Sequence, residues 1–89
     1  MKAELISVDQ NFQEENTIIW FDVSGTYKAR SYGVCFESQP SAGYSVDLKN
    51  GFHAKMLDCD GCPEAIERSE GFHIWNKILP LAIEEFESN

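Results

Sequence analysis

Basic residues are scarce in this chain, seven Lys and Arg against fifteen Asp and Glu, for a formal net charge of −8. A field of that sign repels phosphate backbones and anionic lipid headgroups, which argues against direct binding to nucleic acid or to a membrane surface. Glycine and proline are few, six and three, and there is no internal repeat or low-complexity tract, so a disordered chain is excluded by composition. Long apolar runs are missing too. Nothing approaches the eighteen or so residues that span a bilayer, and the opening MKAELISVDQ lacks the apolar core of a secretion signal. The expectation is a cytoplasmic protein. Three cysteines, an odd number without such a signal, argue against a disulfide framework and for reduced thiols. No glycine-rich phosphate loop and no Ser/His/Asp set appear, which leaves little basis for catalysis.

What is present suits one small globular domain over residues 1–89, with 43% hydrophobic residues, among them two Trp, three Tyr and six Phe. A chain of this size buries only about 60–65% of its unfolded surface, so a large enclosed active site would be hard to support.

Residues 3–8 (AELISV) predict a short strand with Glu4 off pattern, and DQNFQEEN a polar break after it. The clearest strand is 17–24 (TIIWFDVS), where Ile19, Phe21 and Val23 alternate with Trp20, Asp22 and Ser24. Trp20 therefore points away from Phe21. A third strand lies within 27–37, with Tyr32, Val34 and Phe36 on one face; because Lys28 and Arg30 share that parity, the strand either starts late or carries a bulge near Gly33. Cys35, in an apolar run, reads as a small buried hydrophobe.

The stretch YSVDLKNGFHAKML predicts a hairpin whose register is set by its apolar residues. A two-residue Asn-Gly turn would pair Leu48 with His53, whereas a three-residue loop with Gly51 in the left-handed region pairs Leu48 with Phe52, Val46 with Ala54 and Tyr44 with Met56. The second keeps one face apolar and turns Asp47, His53 and Lys55 to water. Pro63 then suits the first position of a short helix ending near Gly71, with Glu64 and Glu67 at its positive end. From Phe72 onward Trp75, Ile78, Leu79, Ala82, Ile83 and Phe86 recur at helical spacing, with Pro80 expected to kink the helix. The predicted fold class is α+β: an antiparallel meander of four to five strands, then one short and one longer helix, the latter packed on one sheet face. The other face carries Trp20, Asp22 and Tyr27, a candidate interaction surface.

Cys59 and Cys62 have the spacing of two zinc thiolates, and the remaining ligands could only come from Cys35, His53 and His73; the best completion, His73 and His53, has a spacing that matches no standard finger. As a redox pair they are opposed by Asp58, Asp60 and Glu64, which disfavour a thiolate. Residues 57–61 (LDCDG) resemble the Asp-x-Asp-Gly nucleophile loop of haloacid dehalogenase-like phosphatases over five positions. The threonine expected next is Cys62, and the chain is too short for that family's parallel sheet, so the resemblance is set aside. A calcium loop starting at Asp58 would need a glutamate where Ser69 stands. The simpler reading makes Asp58 and Asp60 turn and cap residues and Gly61 a special backbone position. Neither histidine has a sequence neighbour suggesting acid–base work.

The expectation is a non-enzymatic, acidic protein-interaction module without catalytic residues or cofactors, forming a homodimer or docking on a protein partner, for instance by occupying a basic groove. The alternative is a domain that binds a small ligand on its aromatic residues or a metal through Cys59 and Cys62.

Overall fold

In the computed structural model, residues 1–11, 13, 15–26, 28–40, 45–64, 66 and 70–88 are described. The strand with the richest β-branched and aromatic content, β2 (Asn16–Ser24), lies inside the sheet and pairs antiparallel with β1 (Lys2–Asn11) on one side and β3 (Arg30–Glu37) on the other. β5 (His53–Leu57) adds to β3, and the two-residue β4 (Val46–Asp47) closes the far edge, giving the order β1-β2-β3-β5-β4. This corrects the expected meander. β5 brings Ala54, Met56 and Leu57 into the buried interior, while β4 is too short to serve as an inner strand, so chain order and sheet order part at the hairpin.

β1 is longer than its apolar pattern suggests. An edge strand needs backbone pairing more than burial, and its polar end continues through Asp9, Gln10 and Asn11 opposite Ile18, Thr17 and Asn16. A bulge interrupts the register: Leu5 opposes Phe21 and Ser7 opposes Trp20, leaving Ile6 as the extra residue. β3 starts at Arg30 and runs without a register shift, so Lys28 precedes the strand, while Arg30 keeps the Tyr32 parity opposite Val23 and stays exposed at the strand's first position.

The hairpin register is the one favoured by the apolar residues. Val46 opposes Ala54, Asp47 opposes His53, the Leu48 N–H donates to the Phe52 carbonyl at 2.9 Å, and Gly51 has φ +88°. Tyr44 lies outside the described residues.

The helix α1 (Glu70–Ser88) lays Ile74, Trp75, Ile78 and Ala82 on Ile19, Phe21, Tyr32, Val34, Phe36, Ala54 and Met56. Phe86 stacks on Phe36, centroids 4.3 Å apart, and meets the edge of Phe52 at 5.1 Å. The expected earlier helix is not seen at its described positions. Pro63 instead bridges back to Leu57, the Glu64 N–H donates to the Met56 carbonyl, and Gly71 lies inside α1; Ala65 and residues 67–69 lie outside the described residues. Pro80 sits within α1 on its exposed side, as does Asn76 four residues earlier, so the carbonyl that loses its helical donor faces water. Among the described residues no helix is long and apolar enough to cross a membrane.

Candidate interaction surface

The sheet face away from α1 is partly covered by its own side chains. Trp20 is half-buried, and its ring lies over Gly33: a Cβ there would stand 3.0 Å from Trp20 Cε3 and Cζ3 and from Ile18 Cγ2. The glycine is what lets the indole lie flat on the strand. Trp20 Nε1 donates to Asp9 Oδ2 at 3.0 Å. Asp22, two residues along, is exposed and opposite both Glu4 and Ser31. Of the three expected interaction residues, Trp20 and Asp22 thus share a face, and Tyr27 lies outside the described residues.

Lys55, expected in water, is buried at 8% exposure. It opposes Cys35, which is also buried, and its Nζ stands 3.4 Å from Glu37 Oε1, the side chains 10% and 13% exposed. His53 is partly covered rather than free, with its Nδ1 2.7 Å from Asp47 Oδ1. The strand parity that sent these side chains off the helix face was correct; that face is simply not all solvent.

The zinc candidates do not come together. Cys59 and Cys62 are exposed on the turn after β5, whereas His53 begins that strand, about 13 Å from its end at roughly 3.3 Å per residue. His73 is exposed on α1; Cys59 borders a depression with Ile6, Ser7, Trp20 and Ser31, across the sheet from that helix. Among the described residues no three His, Cys, Asp and Glu side chains group as metal ligands.

What residues 58–62 do build is a tight turn. Asp58 Oδ1 accepts from the N–H groups of Asp60 and Cys62, both at 2.9 Å; the Asp58 N–H donates to the Cys62 carbonyl at 2.8 Å, and Gly61 has φ +84°. One carboxylate holds two backbone donors while the chain reverses to reach Pro63. Asp58→Ala is therefore expected to lower stability by about 1 kcal/mol, read from the urea midpoint. Asp58→Asn, which keeps an acceptor, should recover most of it.

The feature that pattern reading missed is the outer edge of β1. This edge strand is ten residues long, and among the described residues only β2 pairs with it. Leu5 and Ile6 are 48% and 53% exposed in its middle. Beside it, on the helix face, Ala3, Leu5, Phe21, Leu81, Glu84 and Glu85 line a cleft of about 230 Å³. A larger cleft, about 510 Å³, lies between the hairpin loop and the end of α1, lined by Asp47, Leu48, Lys49, Asn50, Ile83 and Glu87. None of these is aromatic, and Asp47 is already engaged by His53. The sequence signal for the edge was the Leu5-Ile6 pair: two adjacent apolar residues in one strand cannot both face the core unless a bulge intervenes. No family model, no curated protein and no solved structure matches the chain significantly.

Proposed function

We propose that the chain is a small acidic protein-interaction module, acting without catalysis, whose docking element is the outer edge of β1. The observation that carries this is a long edge strand with large apolar residues exposed at its centre. Natural sheets blunt such edges by shortness, charge, bulging or coverage. β4, the opposite edge, is blunted by being two residues long. β1 is not short, and its charges Lys2, Glu4 and Asp9 flank the exposed pair Leu5-Ile6, while the bulge falls at Ile6 itself and leaves both side chains exposed. An incoming strand would take its backbone hydrogen bonds from β1 and set alternate side chains beside the helix-face cleft, the mode of recognition by strand addition. The net charge of −8 supports a protein partner over a nucleic acid.

Ile6→Lys tests this with little risk to the fold, because Ile6 is exposed and is the extra residue of the bulge. With tagged chain in an extract of its native cells, a partner held by the wild type is expected to be lost from Ile6→Lys, and amide exchange in the purified complex should slow within residues 2–11. Retention by the variant, or protection confined to another surface, would contradict the proposal.

A further inference from the structure

We infer that the partner seated on this edge is a second copy of the chain, its β1 antiparallel to the first, with Lys2 of each copy opposite Asp9 of the other. This rests on the reading of the β1 edge as the docking element. The register follows from the bulge. Residues opposed in an antiparallel pair share a sheet face. Ala3, Leu5 and Val8 lie on the helix face, opposite Val23, Phe21 and Ile19, whereas Lys2, Glu4, Ser7 and Asp9 lie on the other, opposite Ser24, Asp22, Trp20 and Ile18. In a regular strand, a twofold axis cannot set an even-numbered residue against an odd-numbered one without mixing faces. The extra residue Ile6 allows it: with the axis beside Leu5 and Ile6, Lys2 meets Asp9, Ala3 meets Val8 and Glu4 meets Ser7, every pair on a common face. Sliding the copies by two residues one way preserves the faces but sets Glu4 against Asp9 twice, and sliding them the other way sets Glu4 against Leu5 and mixes the faces. Like charges directly opposed are unfavourable and opposite charges favourable, so charge selects the first register.

The surroundings agree. Lys2 Nζ, 3.3 Å from Glu4 Oε1 within its own chain, gains the Asp9 carboxylate of the second copy, which meanwhile keeps its own Trp20 indole. On the helix face the second copy's Val8 comes beside Ala3, at the cleft lined by Ala3, Leu5, Phe21 and Leu81. Leu5 and Ile6, the exposed centre of the edge, flank the axis on opposite faces, Leu5 beside the helix-face cleft and Ile6 with Ser7 and Trp20 on the other. An axis perpendicular to the sheet joins two five-stranded sheets into one continuous sheet with both helices on the same side.

The register predicts an unusual result from two single variants. In Lys2→Glu, both cross-strand pairs become acidic against acidic; in Asp9→Lys, both become basic against basic. Sedimentation equilibrium at about 0.15 M salt is expected to show wild type approaching twice the 10.1 kDa chain mass as concentration rises, with each variant weakened about tenfold. An equimolar mixture of the two variants should regain the dimer, since the new carboxylate of one then faces the new ammonium of the other, while the unchanged Asp9 faces the unchanged Lys2. Because Asp9 also holds Trp20, each variant's melting curve must match wild type at dilutions where wild type is monomeric, and Asp9→Asn, which keeps an acceptor for the indole, serves if Asp9→Lys does not fold. It should weaken the dimer less than Asp9→Lys. A wild type monomeric at every concentration overturns the self-pairing while leaving the edge reading to the capture experiment. A dimer that survives Ile6→Lys places the interface elsewhere and overturns both. A dimer lost in Ile6→Lys but not regained by mixing the charge variants overturns this register.

Discussion

Phe36→Ala is expected to lower the stability of the domain by about 3–5 kcal/mol. Phe36 is fully buried in the middle of the sheet, between Thr17 on β2 and Ala54 on β5. Its ring is stacked on Phe86 with an interplanar angle of 5°. Neither strand neighbour is large enough to fill the space the ring would leave, so the cavity term adds to the lost transfer energy. A domain of this size has about 5–15 kcal/mol in all, and one substitution therefore removes a large share. The urea midpoint should fall with the slope unchanged. Phe86→Ala should cost less, because Phe86 is only half-buried at the end of α1. A loss below about 1 kcal/mol at Phe36 would mean that the helix does not seal the sheet there.

The second large effect is expected at Lys55. Lys55→Met should destabilise by about 3 kcal/mol, because the Glu37 carboxylate, 13% exposed, loses the ammonium 3.4 Å away and cannot regain full hydration. Coulomb attraction in the native state is not the main term here. Removing both charges, as Lys55→Met with Glu37→Leu, is expected to return most of the stability, since the desolvation of both ions vanishes together. Urea unfolding of the two singles and the double supplies the coupling energy. If the double is as unstable as the single, the pair is held by something other than mutual compensation.

These two sites mark how far the sequence could be read. The β2 alternation, the Gly51 loop and the apolar stripe of α1 were legible because each is a local pattern with one physical solution. Of the two-residue and three-residue loops, only the second puts Val46, Leu48 and Ala54 on one face. The environment of Lys55 was not legible, because parity tells which face a side chain leaves by and not what covers that face. Lys55 stands in a row with Cys35 and Ile18 across β3 and β2, neighbours far apart in sequence. Pro63 looked like a helix start because proline suits that position; the structure uses it in a bridge beside the Asp58 turn. Of the candidate site, the Trp20 face was legible from strand alternation. The β1 edge was not, since the polar stretch after Val8 masked its length and a bulge leaves no strong composition mark.

The acidic balance does not forbid the self-pairing. Two charges of −8 about 24 Å apart, the middle dimension of the chain, would repel by roughly 11 kcal/mol in water without ions and by roughly 0.5 kcal/mol with a Debye length of about 8 Å. Under ordinary salt the repulsion is therefore a minor addition to the loss of translational and rotational freedom that the edge contacts must offset.

The most direct measurement is residue-resolved amide exchange of the free wild-type chain, compared between dilute and concentrated samples at physiological salt. The account predicts that protection rises with concentration at the outward-facing amides of residues 2–11 and stays constant at Val46 and Asp47 on the opposite edge. Exchange along β1 that is indifferent to concentration and also unchanged in a complex with any captured protein would contradict it.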